Sequence, residues 1–574
     1  MYTLGISAGH DTSACLMQDG RVLAAVEEER FLRIKHATHV IAGGLPFKAI
    51  EYCCKAAGIR PDQIDRVGFY IRPDVTVRRQ SAFRMKRFLQ GPPEALYYSF
   101  GLLNDYRGFQ KTLRQLEQLV GGSHKVKSLY HHLCHAASSF LVSPYDEAAL
   151  LVADGMGEAA AASLGTGRGS RLELLDSIDY PHSLGFLYGT TTGYLGFAVN
   201  SDEYKVMGLA PYGEAEFEKV FEDLIRLEPG GHFRLNLDYF TPSFRGPKFF
   251  SEKFYRALGP ERAEGAPVEE RHRNIAASLQ KRTEEAVFHM ANHLYERTRS
   301  KNLCYSGGVA LNCSLNGKLR ANTPFENVWV QPAAGDPGTA VGAAALVYHG
   351  DEGRARDYVM DSAFLGPEYS DAEIEQTLHI CKVPYERLSS DQLVPRVAKL
   401  LADGAIVGWF QGRMEWGPRA LGSRSILANP TRADMKDLVN RYVKHREDFR
   451  PFAPSVLEER AGEFMEWDRP SPFMLFACRV RPEVQARIPA VTHVNGTARV
   501  QTVNRREHPL YHSLIEEFGR LTGVPILLNT SFNVMGEPIV CRPVDAVRCF
   551  YSNGLDALAV GSFLLQKSPA RSAP

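Results

Sequence analysis

Two stretches of this chain repeat one local plan, and that repeat limits the fold more than any other feature. Tyr2 to Ala8 alternates as a strand and breaks at Gly9-His10-Asp11-Thr12-Ser13. It resumes over Ala14-Cys15-Leu16-Met17, turns at Asp19-Gly20 and runs on from Arg21 to Glu27. A second meander follows suit: strand 148–153, turn Asp154-Gly155-Met156-Gly157, strand 158–164, a glycine-rich turn over 165–169 and strand 171–178. Helical sequence follows each copy, which predicts a duplicated α/β core with a nucleotide between its halves. The first turn offers backbone N–H groups and polar tips that suit a phosphate or its metal, and the same residues also make an ordinary polar hairpin turn.

Just ahead of the second meander stands Tyr130-His131-His132-Leu133-Cys134-His135-Ala136. On a helix, His131 and His135 share one face and can grip one metal ion. Asp154 closes the apolar strand Ala148–Val152 and carries a carboxylate to its C-terminal edge. Strand Val328–Gln331 runs into a Gly/Pro loop holding Asp336, a candidate fourth ligand. Histidines at this spacing also serve in packing or on surfaces. The zinc-peptidase pattern is not met, because that chemistry wants a Glu beside the first His and the position is His132.

Elsewhere the chain alternates helices and strands. Glu27 to His36 (EEERFLRIKH) reads as a solvated helix start, with Lys35 and His36 just past the first polar turn. Ile50, Cys53, Cys54 and Ala57 recur at helical spacing up to Gly58, and Ile64–Ile71 reads as a strand. Residues 76–128, rich in Arg, Lys, Tyr and Phe (Arg78, Arg79, Arg84, Lys86, Arg87), show no clear period and read as an insertion. Arg273–Arg297 is an amphipathic helix. Leu303–Ala310 passes from a strand through Gly307-Gly308 toward a helix carrying Asn312 and Asn316, where glycines and a helix start suit an anion. A polar stretch at 350–365 reads as a linker.

Beyond it, Ala405–Phe410 is a strand, and Gln411–Asn429, with Arg413, Arg419 and Arg424, is a segment able to wrap an anion. Basic residues outnumber acidic ones through Arg450, and arginine's planar fork suits phosphate and carboxylate. Pro525–Asn533 reads as a buried strand ending in amides and hydroxyls, the polar edge that a small-molecule site needs. Residues 567–574 have the composition of a disordered tail.

Across 574 residues, 44% hydrophobic and 23% charged, the proportions are globular and the length suggests two to four domains. The net charge of +1 gives no global pull toward nucleic acid or anionic membrane. Ten scattered cysteines without a CxxC suit a reducing compartment. With neither a long apolar run nor a leader at Met1, the expectation is a soluble, cytoplasmic protein.

Taken together the motifs resemble the antibiotic and nodulation O-carbamoyltransferases. The matching pieces are GHDTSA at 9–14, EEERFLRIKH at 27–36, HHLCHAASSF at 131–140, ADGMGE at 153–158 and EYKVMGLAPYG at 203–213. They continue with SGGVALNCSLNGKL at 306–319, GDPGTAVGAA at 335–344, GRMEWGPRALGSRSIL at 412–427, RPFAP at 450–454, ARVQTV at 498–503 and LNTSFN at 528–533. The resemblance implies an actin-like ATPase-type N-terminal domain over 1–350, a linker over 351–365 and a YrdC-like α/β domain over 366–574. It implies that carbamoyl phosphate and ATP form carbamoyl adenylate in the C-terminal domain. The N-terminal domain then carbamoylates a small-molecule hydroxyl and releases AMP. A closed passage would keep water from the fragile intermediate.

Carried onto this sequence, the resemblance implies His131, His135, Asp154 and Asp336 as metal ligands, with Fe²⁺ the family's metal and Mn²⁺ or Zn²⁺ compatible with the same donors. It makes His10 the catalytic histidine and places Lys35 on the acceptor side. Thr12, Gly307, Gly308 and Asn312 stand at nucleotide-binding positions. Arg419, Lys444, Arg450, Arg499, Asn529 and Ser531 match the carbamoyl-phosphate and adenylate pocket. Segments 76–128 and 214–270 match no family motif and are where the acceptor would be selected. Tyr, Phe and Leu near 95–106 favour a large, partly apolar acceptor such as a macrolide or ansamycin over an aminoglycoside. No nucleic-acid or membrane partner is expected, and a homodimer is the assembly considered. Two rival readings are threonylcarbamoyl modification of tRNA and a nonenzymatic actin-like regulator. The first lacks a basic stripe, and the second leaves the His/Asp set without a purpose.

Overall fold

The computed structural model describes residues 1–79, 92–241 and 249–567, with only the backbone described at 92–105 and at 351. Arg84, Lys86 and Arg87, the side chains at 95–105 and the tail beyond 567 lie outside the described residues. The chain divides into two compact units, one of residues 1–28 and 36–360 and the other of 29–35 and 361–574.

In the first unit, β1 (Tyr2–Ser7), β2 (Ser13–Gln18), β3 (Arg21–Glu27), β4 (Arg66–Phe69) and β5 (Val126–Ser128) form a sheet of order β3-β2-β1-β4-β5. β1 pairs antiparallel with β2 and parallel with β4; β2–β3 is antiparallel and β4–β5 parallel. The second sheet contains β6 (Glu147–Ala153), β7 (Ala160–Arg168) and β8 (Arg171–Asp179). A separate hairpin, β9 (Ile225–Glu228) and β10 (His232–Leu235), intervenes before β11 (Asn302–Ser306) and β12 (Asn327–Val330). Its order, β12-β11-β6-β7-β8, repeats the first sheet strand for strand, with the same directions throughout. This strand plan makes the unit a duplicated α/β fold of the actin-like ATPase type.

Each half ends in a helix, His131–Phe140 after β5 and Thr339–Ala345 after β12. The second of these lies directly on β1 and against the first, which requires glycine at the crossing points. A Cβ on Gly5 would overlap the carbonyl oxygen of Ala340, and one on Gly342 would overlap that of Cys134. Backbone thus meets backbone where the halves join.

Two sequence readings change here. Residues 76–128 are no simple insertion, since helix Pro92–Val120 and edge strand β5 complete the first half's parallel crossovers. The charge run at 27–36 is not a solvated face either: Glu27, Glu28 and Arg30 are all buried. Glu28 accepts the N–H groups of Lys48 and Ala49 (3.0 and 2.7 Å), anchoring the first turn of helix Phe47–Ala57.

The second unit is built on one mixed nine-stranded sheet. Its strands are β13 (Glu386–Arg387), β14 (Val407–Phe410), β15 (Arg424–Ala428), β16 (Ala453–Leu457), β17 (Phe476–Arg479), β18 (Thr497–Val503), β19 (Ile526–Ser531), β20 (Ala557–Val560) and β21 (Phe563–Gln566). They lie in the order β13-β21-β20-β14-β15-β19-β16-β18-β17. Helices Ser390–Ala402 and Pro509–Thr522 bury Leu393, Val397, Leu401, Leu514 and Phe518 in one core cluster. A second cluster gathers Ile374, Leu378, Val439, Phe464 and Phe550. Segment 29–35 belongs to this unit: Arg30 donates to the Gly417 carbonyl (2.9 Å), Arg33 to that of Pro538 (2.7 Å), and Phe31 packs against Met414, Ala420, Ile539 and Cys541.

Candidate active site

In the first unit, the candidate residues gather where parallel strands end. His131 and His135 occupy successive turns of one helix, and their Nε2 atoms lie 3.0 Å apart. Asp154, one residue past β6, brings Oδ2 to 3.3 Å from His131 Nε2 and 3.7 Å from His135 Nε2. Asp336, in the loop after β12, brings Oδ1 to 3.6 and 3.7 Å from the same two nitrogens. All four ligand atoms fall within 4.8 Å of one another. An ion held at about 2.1 Å by four ligands would set them roughly 3.4 Å apart, so these separations fit one metal.

Electrostatics point the same way. Two carboxylates face two imidazoles with no Lys or Arg among the four ligands, a set whose charge a dication balances. Burial opposes a charged His135, yet the carboxylates of Asp154 and Asp336 outweigh it and hold its pKa up at about 9. Burial would raise Asp154, and the two histidines instead draw it well below the usual carboxylate range. The chain's own response to its carboxylates is thus to gather positive charge there.

The surrounding residues fix these ligands. Glu158 accepts the N–H of His131 and that of Arg72, both at 3.0 Å, so a buried carboxylate stands at the helix N-terminus. Gly308 donates its N–H to Asp154 Oδ1 at 2.8 Å, and Ser183 Oγ donates to the Asp154 carbonyl at 3.0 Å. Tyr70 sets its ring edge-on to His131, with centroids 5.4 Å apart. Glu158, Ser183 and Tyr70 escaped sequence reasoning because their partners are remote in the chain. ADGMGE contained Glu158, but nothing local showed what it would hold.

The other predicted first-unit residues sit in the turns around this cluster. His10 Nδ1 lies 3.0 Å from Asp11 Oδ2. Thr12 is buried and donates its hydroxyl to the Ala37 carbonyl at 2.6 Å. Gly307 has φ 94°, reached without strain only by glycine, and Asn312 Oδ1 caps helix Cys313–Asn322 by accepting the Leu315 N–H at 3.0 Å. Gly307, Gly308 and Asn312 therefore shape the strand-end turn.

In the second unit, Lys444 is buried and its Nζ donates to the Ser531 carbonyl (2.9 Å), the Asn533 carbonyl (3.1 Å) and Asn533 Oδ1 (2.6 Å). Burial pushes the Lys444 pKa well down, and the neighbouring charges of Arg446, Arg450 and Lys35 push it further. Lys35, expected on the acceptor side, packs with the second unit, and its charge is among those that act on Lys444. Asn529 Nδ2 lies within hydrogen-bonding distance of the Ala420 carbonyl (3.1 Å), Ser455 Oγ (3.0 Å) and Gln501 Oε1 (3.0 Å), while among the described residues its buried Oδ1 has no hydrogen-bond partner. The loop read as wrapping an anion does wrap one, the carboxylate of its own Glu415: Oε1 accepts the N–H groups of Leu421, Ser423 and Arg424 at 2.7–2.9 Å. Arg424 is wholly buried, donates to the Gln411 and Pro367 carbonyls and lies over the Phe410 ring. Arg419 and Arg499 belong to the same unit.

Residues 2–345 match the family model described as the carbamoyltransferase N-terminus, and residues 398–567 match the carbamoyltransferase C-terminus. Nodulation protein NolNO of Sinorhizobium fredii is 41% identical over 98% of this chain and 79% of its own length. Nodulation protein NolO of Bradyrhizobium diazoefficiens is 42% identical over 77% of this chain and 79% of its own. An uncharacterized Synechocystis protein, sll1178, is 42% identical over 99% of this chain and 97% of its own. Among solved structures, component A of Acidaminococcus fermentans (R)-2-hydroxyglutaryl-CoA dehydratase aligns with 61% of this chain and 99% of its own, at 15% identity and TM-score 0.33.

Proposed function

This chain belongs to the carbamoyltransferase family and is a carbamoyltransferase, and from that premise we propose an ATP-dependent O-carbamoyltransferase that modifies a hydroxyl of a secondary metabolite. Carbamoyl phosphate, ATP and water give carbamoyl adenylate, phosphate and pyrophosphate. Transfer to the acceptor oxygen then releases AMP. The observation that carries this reading is the convergence of His131, His135, Asp154 and Asp336 at the strand ends of a duplicated actin-like unit.

On this reading, those four residues hold a divalent metal, Fe²⁺ as the family implies or Mn²⁺ or Zn²⁺ with the same donors. When bound, such an ion supplies charge stabilisation as AMP departs. His10 accepts the acceptor hydroxyl's proton. Thr12, Gly307, Gly308 and Asn312 set the turns that face the nucleotide. Arg419, Lys444, Arg450, Arg499, Asn529 and Ser531 bind carbamoyl phosphate and the adenylate, with Lys35 adding charge on that side. The unpaired Asn529 Oδ1 supports this assignment, since a buried acceptor suits a carbamoyl NH₂. The acceptor is a small molecule. Among the described residues no helix is long and apolar enough to cross a membrane.

Metal-loaded protein given ATP and carbamoyl phosphate is expected to release pyrophosphate and form carbamoyl adenylate; a folded sample that forms none overturns the proposal. His131→Ala is expected to lose metal and acceptor transfer while keeping adenylate formation. Equal loss of both half-reactions would refute the division of roles. A panel of macrolide, ansamycin and aminoglycoside acceptors then identifies the hydroxyl.

A further inference from the structure

Beside the metal-type cluster lies a second set of titratable groups, and its bonds run in series. His10 Nδ1 meets Asp11 Oδ2 at 3.0 Å, and His36 Nδ1 meets the other oxygen, Oδ1, at 2.8 Å. His36 Nε2 meets Ser201 Oγ at 2.9 Å, and the two rings stand 4.6 Å apart. All four residues belong to the first unit. His10 is 36% exposed, within reach of a substrate, while Asp11 and His36 are 28% exposed.

The donors and acceptors can be assigned from chemistry alone. An ionised carboxylate only accepts, so both Nδ1 atoms must carry protons. Burial would raise the Asp11 pKa, but its bonds to His10 and His36 bring it down to about 2, so the carboxylate stays ionised. With Nδ1 protonated, a neutral His36 has a lone pair at Nε2, which accepts the Ser201 hydroxyl. By the same logic a neutral His10 keeps its lone pair at Nε2, the atom a general base needs.

The backbone goes to some trouble to bring His36 here. His36 and Ala37 both have positive φ, 67° and 34°, a region that costs a residue with a side chain on the order of 1 kcal/mol or more. Three bonds hold this turn to the His10 turn: Thr12 Oγ1 to the Ala37 carbonyl at 2.6 Å, His39 N–H to the Gly9 carbonyl at 3.1 Å, and the Asp11–His36 bond itself. The buried Thr12 hydroxyl acts as a clamp on the strained turn.

We infer that Asp11, His36 and Ser201 form a positioning relay that holds His10 as its Nδ1–H tautomer with Nε2 as the proton acceptor. The inference rests on the carbamoyl-transfer reading above and adds three residues to it. In the step served, the acceptor oxygen bonds to the carbamoyl carbon as its proton passes to His10 Nε2. The bond from that carbon to the adenylate phosphate oxygen breaks, and AMP leaves with the electron pair. The resulting imidazolium faces the Asp11 carboxylate and later returns its proton to solvent. Asp11, His36 and Ser201 are positioning residues, for they act through His10.

The test measures acceptor transfer from preformed carbamoyl adenylate in full-length, metal-loaded protein. Asp11→Ala is expected to lower kcat about 10²–10⁴-fold, the range of general-base contributions, with acceptor KM changed less than about threefold. His10→Ala is expected to do the same. The Asp11→Ala/His10→Ala double variant should be no slower than His10→Ala alone, because the relay has no other target. His36→Leu should lose about tenfold or more, and His36→Gln, whose amide can still donate to Asp11, should recover most of that loss. Multiplying losses in the double variant, or equal rates for His36→Leu and His36→Gln, would overturn the relay. Full transfer by His10→Ala would instead overturn the general-base role, so the two failures are distinguishable. Metal content and melting temperature are read on every variant. If Asp11→Ala fails to fold, the His36 pair decides the question.

Discussion

The helix carrying His131 and His135 starts on a buried carboxylate, so Glu158 should govern both stability and the ligand geometry. Glu158 accepts the N–H groups of His131 and Arg72, each at 3.0 Å. Glu158→Ala leaves two N–H groups without that acceptor at roughly 1–3 kcal/mol each, and removes a favourable charge at a helix N-terminus worth about 0.3–1 kcal/mol. Water entering the space left by the side chain recovers part of this, so the expected loss is about 3 kcal/mol. Glu158→Gln keeps an acceptor oxygen and should cost about 1 kcal/mol. Because His131 is the first residue of the helix, the alanine variant should also weaken metal binding about 10–100-fold, the usual effect of losing a group that supports a ligand. Chemical denaturation and competition with a chelating dye measure the two effects. Glu147→Ala is the control: its pair with Arg168 is exposed, and its loss should change stability by less than about 1 kcal/mol. If Glu158→Ala stays within about 0.5 kcal/mol of the parent and binds metal as tightly, the helix is anchored elsewhere and the reasoning is wrong.

Gly342→Ala drives a methyl group into the Cys134 carbonyl and should cost about 3 kcal/mol, with parallel loss of metal, as read by melting temperature and metal analysis. Burial holds His493 and His508 down at a pKa of about 4, so the unfolded chain takes up protons at these sites near pH 6.5 while the folded chain does not. Their stabilisation is therefore complete above about pH 6.5 and falls as pH drops toward 4, by roughly 3 kcal/mol per histidine at the lower end. Denaturation across that range should show this slope, reduced in His493→Gln. Arg33→Ala removes the donor to the Pro538 carbonyl and the partner of Glu537, and should destabilise the second unit by about 2–4 kcal/mol in denaturant melts. A fragment of residues 361–574 lacks this segment altogether and should melt below the same unit in the full chain.

The elements read most easily were those whose residues face one way at a fixed period. The first meander's strands, helix Phe47–Ala57 and helix Glu270–Thr298 fall within a few residues of expectation, whereas most of the glycine-rich turn expected at 165–169 is strand, since β7 runs to Arg168. Apolar alternation or i,i+4 recurrence is written locally there, and burial follows it. The charge run at Glu27–His36 misled because its charges are answered from far away, Glu28 by the N–H groups of Lys48 and Ala49 and Arg30 by the Gly417 carbonyl. No window along the sequence contains those partners. The same holds at the site. The spacing of His131 and His135 was visible and Asp154 stood at a strand end, but Glu158, Ser183 and the Asp11–His36 bond exist only once the turns are brought together.

Why those turns meet follows from the duplication. β1, β4 and β5 run parallel in the first sheet and β6, β11 and β12 in the second, so in each half the segments leaving these strands emerge at one edge. His10 and Asp11 lie in the turn that leaves β1, as Asp154 lies in the turn that leaves its counterpart β6. His131 follows β5 as Asp336 follows β12, each just ahead of or within the final helix of its half. Carboxyl ends of parallel strands are where open α/β sheets gather their ligands, and here two such edges are joined through the backbone contact at Gly342. Equivalent positions have diverged in chemistry: one turn holds a histidine on a carboxylate and the other offers a carboxylate to two histidines. On the proposed reading, the two polar turns divide the work of the reaction, proton transfer at His10 and charge stabilisation at the His/Asp cluster.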